Sequence, residues 1–273
     1  MRRYVDDLLF GVVILSMALT VAYLITPLII SCLMSFDSRT YLGRFPPPGV
    51  SIQWYKHFFS TPDFMHGLRT SLILATFSTL IASVTGVLAA VVIGQYEFKG
   101  KAMLSSLFLS PLMVPGVVTG FGLLMFFALL GVFDGFTRLL AGHVIVTIPY
   151  TIRSTIAALT GIRPSMREAA MSLGATGRQA FFDITLPLAK TGIIAGGIFA
   201  FSTSLDDVST SLFLYDPHST TLPIALVSYM RANFDMAVAA ASVFLAFLTL
   251  ALIIVLDRMV GLDKVMGQGI YRG

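Results

Sequence analysis

Long stretches without a charged residue constrain the fold of this chain more than any other feature. Residues 8–36, 70–96, 102–133 and 236–256 contain no Asp, Glu, Lys or Arg. Each stretch is longer than the roughly 20 residues that cross a bilayer as an α-helix. Only 12% of all residues are charged, whereas a soluble domain has about 25%. The sequence therefore predicts an all-α integral membrane protein.

Two further apolar runs are interrupted by charge and complete a set of six predicted transmembrane helices. Residues 139–162 contain only Arg153, and residues 191–214 contain only Asp206 and Asp207. We expect one transmembrane domain over the whole chain, with a cytoplasmic loop at residues 159–187 between the fourth and fifth spans. The predicted spans are approximately residues 8–35, 68–94, 102–131, 139–158, 188–212 and 233–256.

Prolines mark the third predicted span as irregular. Pro111 and Pro115 lie within residues 102–131, and a proline inside a membrane helix leaves backbone carbonyls that need other partners. A kink that serves packing is the favoured interpretation. The alternative is a broken helix beside a transport pathway.

The distribution of basic residues predicts that both termini are cytoplasmic. Cytoplasmic segments of membrane proteins carry an excess of Lys and Arg. With the N-terminus inside, twelve of the 18 Lys and Arg residues fall on the inner side and six on the outer side. The inner set consists of Arg2, Arg3, Lys99, Lys101, Arg153, Arg163, Arg167, Arg178, Lys190, Arg258, Lys264 and Arg272.

The longest predicted outer segment, residues 36–66, is aromatic near its end. It contains Trp54, Tyr55, Phe58 and Phe59. Aromatic residues are enriched at membrane interfaces, so an interfacial helix with its rings at headgroup depth is the favoured interpretation. The alternative is a docking surface for an external partner.

Composition also excludes several classes of function. The single cysteine, Cys32, forms no internal disulfide and has no companion for a metal site. The pI near 9.3 reflects basic residues at membrane edges, so we predict contact with lipid and no nucleic-acid partner.

The predicted cytoplasmic loop carries several signals of helix ends. The segment from Ser165 to Glu168 fits a capping box, and the segment from Thr176 to Gln179 fits a second one. Gly174 between them is suited to the left-handed residue that ends a helix. These signals predict a helical hairpin, whose exposed first helix is suited to gripping another protein. The alternative is a solvated interfacial loop held by its caps.

The same loop resembles the signature loop of ABC importer permease subunits. The family pattern is Glu-Ala-Ala, three residues, Gly, nine residues and Ile-x-Leu-Pro. Every position matches here, at Glu168, Ala169, Ala170, Gly174, Ile184, Leu186 and Pro187. The resemblance implies the type I importer permease fold in a bacterial inner membrane, with a cytoplasmic coupling-helix hairpin.

The resemblance also implies the partners of this chain. The coupling helix, for which we select Glu168, Ala169, Ala170, Leu173, Gly174 and Arg167, would dock on one of two separate ATP-binding subunits. A second, different permease subunit and a periplasmic substrate-binding protein would complete the complex. The chain has no phosphate-binding loop of its own, because its Gly100-Lys101 pair is followed by alanine. ATP and Mg are therefore expected in the partner subunits. No cofactor and no enzymatic activity are expected in this chain.

The acidic pair within the fifth predicted span is the candidate substrate pathway. A carboxylate inside a membrane span is costly and by default marks a pathway or an ion pair. We select Asp206 and Asp207 together with Ser204. Neighbouring helical residues point about 100° apart, so one carboxylate can face the pore while the other caps or pairs. The alternative places both at the outer interface, in solvent.

The segment around this pair is similar to the second permease of spermidine/putrescine importers. The similarity rests on residues 200–207, Leu222-Pro223 and Tyr229-Met230. It implies a small amine-bearing solute of the polyamine, opine, aminoethylphosphonate or 4-aminobutyrate type. The rival hypotheses are a secondary transporter driven by an ion gradient and a membrane scaffold without transport. The first of these predicts an inverted repeat, and the sequence contains no evident repeat.

Overall fold

The computed structural model describes residues 2–41, 43–162, 164–233 and 235–260, and these residues are largely helical. Two short irregular turns, the 3₁₀ turn Ser110–Leu112 and the π-helical turn Phe181–Thr185, join consecutive helices. The α-helices are α1 (Arg2–Met34), α2 (Gln53–Ser60), α3 (Pro62–Gln95), α4 (Lys101–Leu109), α5 (Gly116–Leu129), α6 (Gly135–Thr160), α7 (Pro164–Ser172), α8 (Gly177–Ala180), α9 (Leu186–Asp206), α10 (Ser211–Leu214), α11 (Leu222–Ala232) and α12 (Ala237–Val260).

The predicted all-α membrane architecture is confirmed. Five helical runs in the described residues are long and apolar enough to cross a bilayer, and a bent pair of helices makes a sixth if it counts as one span. The five runs are Leu9–Met34, Pro62–Gln95, Gly135–Thr160, Gly177–Asp206 and Ala237–Val255.

The bent pair lies where the prolines of the third predicted span fall, and the interpretation as a packing kink was wrong. The helical segments Lys101–Leu112 and Gly116–Leu129 meet at 107°. Pro115 precedes α5 with an extended backbone, at ψ 134°. Proline lacks the N–H that a continuing helix needs, and it disfavours helical geometry in the residue before it. Two prolines four residues apart therefore break the span.

The fifth span begins inside the loop predicted at residues 159–187. Gly177–Asp206 is one helical run of 30 residues, although we predicted a start near residue 188. Pro187 lies in the first turn of α9, directly after the π-helical turn Phe181–Thr185. A wider turn at this point accommodates the missing N–H and the proline ring without ending the helix.

The chain divides into two compact units, the first formed by Met1–Pro62 and Leu226–Leu248. Its core includes the aromatic side chains of α2. Trp54 and Phe58 are buried, and the ring of Phe58 lies 5.3 Å from that of Phe244. Trp54 and Phe58 therefore pack inside this unit, while Phe59 of the same helix is exposed. The position of the helix at headgroup depth stays a prediction.

The second unit consists of Asp63–Ala225 and Thr249–Gly273, and a close helix pair forms its centre. Helices α6 and α9 approach each other where α9 has two glycines four residues apart, Gly192 and Gly196. An added Cβ at Gly196 would lie only 2.9 Å from the Cα of Thr151 on α6. Small residues at this spacing allow helix backbones to approach closely in membranes.

Three basic residues used to predict the orientation, Arg163, Lys264 and Arg272, lie outside the described residues.

Candidate functional site

The loop predicted to be cytoplasmic ends its first helix at the glycine that the sequence indicates. Helix α7 is followed by Gly174, whose φ of 96° is in the left-handed region. The N–H of Ala175 donates to the carbonyl of Ala170 at 3.0 Å, and that of Gly174 donates to Met171 at 3.1 Å. These are the two hydrogen bonds of a Schellman motif, which satisfies carbonyls at a helix end.

The two predicted capping boxes have different outcomes. The second is confirmed: the hydroxyl of Thr176 accepts from the N–H of Gln179 at 3.2 Å, and the side-chain carbonyl of Gln179 accepts from the N–H of Thr176 at 2.8 Å. The first is wrong, because α7 begins at Pro164 and Ser165 lies within its first turn. Proline suits the start of a helix, since the first N–H groups have no helical partner.

One side of α7 is accessible and largely apolar. Leu173, directly after the helix, has 90% of its surface exposed, and Met166 has 46%. Glu168 and Ala169 are exposed as well, while Ala170 is half-buried. Exposed apolar side chains beside a charged one are typical of a surface that contacts another protein.

Arg167 points away from that accessible side and contacts the end of α3. Its guanidinium donates to the hydroxyl of Tyr96 at 2.7 Å and, over 3.4 Å, to the side-chain oxygen of Gln95. Its central carbon also lies 5.3 Å from the centre of the Tyr96 ring, within cation–π range. Arg167 thus joins α7 to the bundle of its own chain.

The acidic pair is divided by the end of α9. Asp206 is the last residue of that helix, and Asp207 has an extended backbone. The Asp207 carboxylate accepts from the N–H groups of Thr210 and Ser211 at 3.1 and 2.8 Å, and from the Ser211 hydroxyl at 3.1 Å. Asp207 therefore stabilises the start of α10.

A buried histidine on α6 joins this turn to α9 and α10. His143 on α6 is fully buried, and its ring nitrogens form hydrogen bonds with Ser204 on α9 at 2.7 Å and Ser211 on α10 at 2.8 Å. Ser204 also accepts from Ser78 on α3 at 3.0 Å. Sequence reasoning missed His143, although an ionisable side chain within an apolar span is itself a signal of a special role.

Asp206 differs from the other two pathway candidates. Ser204 is buried and hydrogen-bonded to His143. The Asp207 carboxylate already accepts hydrogen bonds from the turn before α10. Asp206 is exposed, and its carboxylate has no hydrogen-bond or ion-pair partner among the described residues. Those residues also contain no cluster of three or more side chains that could hold a metal ion.

Comparisons with known proteins agree on one family. Residues 82–262 match the family described as "Binding-protein-dependent transport system inner membrane component". The chain is 32% identical to the spermidine/putrescine transport system permease protein PotC of Shigella flexneri, over 91% of this chain and 93% of that protein. It is also 32% identical to the putrescine transport system permease protein PotI of Escherichia coli (strain K12), over 81% and 79% of the two chains.

A solved structure supports the fold assignment. The chain is similar to a chain of a bacterial ABC transporter involved in the import of the acidic polysaccharide alginate, with a TM-score of 0.73. The match covers 93% of this chain and 95% of the other at 20% identity. At this identity the likeness concerns the fold alone.

Proposed function

The chain belongs to the inner membrane components of binding-protein-dependent transport systems, the permease subunits of ABC importers, and on this premise we propose that it carries a small amine-bearing solute. The observation that supports this solute class is the 32% identity to a spermidine/putrescine permease over more than nine tenths of both chains. The family assignment leaves the ion-gradient-driven transporter and the membrane scaffold without support.

The complex that we propose has four further components. Two ATP-binding subunits hold ATP and Mg and hydrolyse the nucleotide. A second, different permease forms the pathway together with this chain, and a periplasmic binding protein delivers the solute. The excess of basic residues on the inner side supports cytoplasmic termini and a cytoplasmic α7.

Helix α7 is the proposed contact with an ATP-binding subunit. Leu173, Glu168 and Ala169 are the exposed residues that support this assignment. Ala170 and Gly174 fix the backbone beside this surface. The Schellman hydrogen bonds donated by the N–H groups of Gly174 and Ala175 end the helix directly beside Leu173. An apolar side chain presented beside a fixed turn can fill a pocket on a partner.

Asp206 is the proposed pathway carboxylate. A cationic amine can form charge-assisted hydrogen bonds with a carboxylate whose acceptor sites are free. Asp206 meets this condition, whereas three hydrogen bonds already occupy Asp207. Asp207 and Ser204 therefore have a structural role in the proposal and position the end of α9.

Uptake by the reconstituted complex tests the function. Proteoliposomes containing all subunits and the binding protein are given labelled spermidine, putrescine or 4-aminobutyrate, with ATP or ADP on the side of the ATP-binding subunits. We expect uptake of at least one amine that requires ATP and persists when ion gradients are dissipated. Uptake that continues with ADP would refute the importer, and ATP-dependent uptake of none of these amines would refute the solute class.

Matched variants test the role of Asp206. Asp206→Asn removes a free carboxylate and is expected to raise the KM for a cationic amine without lowering the amount of assembled complex. Asp207→Asn weakens the turn before α10, so we expect it to lower thermal stability. An unchanged KM in the Asp206→Asn complex would remove this residue from the pathway.

A further inference from the structure

Two cavities separate the coupling helix α7 from the membrane bundle, and Arg167 lines both of them. The first, about 340 Å³ in volume, lies among the ends of α3 and α6, α7 and the π-helical turn. The second, about 350 Å³, lies between α3 and the start of the fifth span. Close packing transmits displacement efficiently, so the side chains that cross this open region matter for the connection between α7 and α3.

Arg167 bridges this loosely packed region with directional contacts. Its short hydrogen bond to Tyr96, its longer one to Gln95 and its position over the Tyr96 ring all join α7 to the last turn of α3 and the residue after it. The planar guanidinium holds its partners in a fixed geometry that an ammonium group does not reproduce. The Arg167 Nε is buried, and no described residue accepts from it.

We propose that Arg167 is a positioning residue that transmits the displacement of α7 to α3. The proposal rests on the function proposed above, in which an ATP-binding subunit moves α7. It gives Arg167 a role inside this chain, whereas the sequence analysis grouped Arg167 with the residues that dock on that subunit. The contacts of Arg167 lie within this chain, so the residue acts after docking. Loss of the contact therefore leaves docking and ATP hydrolysis intact but reduces the solute moved for each ATP hydrolysed.

The test measures that ratio in the reconstituted complex. Tyr96→Phe removes the hydroxyl and keeps the ring, and Arg167→Lys keeps the charge and loses the planar group. We expect each to reduce solute transported per ATP about fivefold, at the lower end of the range for coupling between two sites. The matched control is Arg178→Lys, because Arg178 lies in the same loop, contacts the Phe182 ring at 5.9 Å and lines neither cavity.

A double variant separates transmission from simple structural support. If Arg167 and Tyr96 act together, Arg167→Ala combined with Tyr96→Phe is no worse than Arg167→Ala alone. Additive losses would overturn the proposal. So would an unchanged ratio, or a parallel fall of ATP hydrolysis, uptake and assembled complex. The wild-type complex separates the proposed function from the proposed role of Arg167. ATP-dependent uptake by the wild type supports the function, whatever the variants do.

Discussion

The close approach of α6 and α9 can be tested with two neighbouring glycines. At Gly196, an added Cβ would lie 2.9 Å from the Cα of Thr151, a distance that Cβ contacts essentially never show. At Gly197, the added Cβ would meet only Ser83 and Thr79 of α3, at 3.5 and 3.8 Å, which is ordinary contact. The substitutions Gly196→Ala and Gly197→Ala therefore differ in one respect, the space available for a methyl group.

Thr151 cannot move aside to accommodate the methyl group. It is fully buried on α6, and its hydroxyl donates to the carbonyl of Ala82 on α3 at 2.9 Å. Gly86 of α3 packs against the same threonine side chain. Relief of the clash thus requires α6 and α9 to separate, with loss of packing along both helices.

The expected difference follows from the cost of overpacking. Added volume in a well-packed interior costs about 1–3 kcal/mol. The helix propensity gained by replacing glycine with alanine, about 1 kcal/mol, is common to both variants and cancels in the comparison. At about 2–4 °C for each kcal/mol in a chain of this size, we expect Gly196→Ala to melt roughly 2–12 °C below Gly197→Ala.

Thermal unfolding of the purified protein in detergent measures this difference. Intrinsic fluorescence or retention of the monodisperse peak after heating are suitable readouts. The Gly197→Ala variant should melt at or above the wild-type temperature, because its methyl group enters an apolar cavity of about 380 Å³. If Gly196→Ala melts as high as Gly197→Ala, the α6–α9 contact is not closely packed and the reasoning fails.

Three further predictions concern the turn at Gly174, the Asp37–Arg39 ion pair and the buried histidine. Gly174→Asp forces a side chain into a left-handed turn, at a cost of about 1–2 kcal/mol, and should abolish most solute uptake. The control Gly177→Asp adds the same charge nearby at ordinary φ and should preserve uptake. Equal uptake by both variants would contradict the role of the turn. The Arg39 guanidinium that hydrogen-bonds to Asp37 lowers the pKa of that carboxyl, so the stability that Asp37→Asn removes should be fully present above about pH 4 and decline as the pH falls toward the lowered pKa. A difference in melting temperature that does not shrink at any pH below about 4 would refute this. His143→Ala removes one hydrogen bond from each of two buried serines and leaves a cavity where the ring was, so it should lower the melting temperature by about 5 °C or more. The exposed His66→Ala should leave the melting temperature unchanged, and equal shifts would argue against the network.

The features that could be predicted from the sequence depend on neighbouring residues. The left-handed Gly174 and the Thr176–Gln179 capping box are set within a few residues, and both are found. The six spans follow from runs of apolar residues in a bilayer. By contrast, the Arg167–Tyr96 contact joins residues 71 positions apart, and the contact between His143 and Ser204 joins residues 61 positions apart. No local pattern encodes such pairs, so the contact of Arg167 with the end of α3 was not foreseen and His143 was missed.

The acidic pair shows how a helix end changes the meaning of a motif. Adjacent carboxylates on a continuous helix would differ only in direction. Here α9 ends at Asp206, and the next residue accepts the N–H groups of the following turn. Adjacent residues of the same type thus have different surroundings: Asp207 is hydrogen-bonded within the turn, whereas Asp206 is exposed. The predicted end of this span near residue 212 concealed that difference.

The length of the fifth span links the two candidate sites mechanically. The helical run from Gly177 to Asp206 contains 30 residues, or about 45 Å at 1.5 Å per residue. Its lower end begins directly after the turn that closes α7, and its upper end carries the proposed pathway carboxylate. Contact with α6 at Gly192 and Gly196 stiffens the part between them. The π-helical turn Phe181–Thr185 is the irregular point along this run, and the run should bend there because its backbone hydrogen bonds are wider than in an α-helix. A displacement of α7 would therefore act on the start of α9 through this turn, in addition to acting on α3 through Arg167.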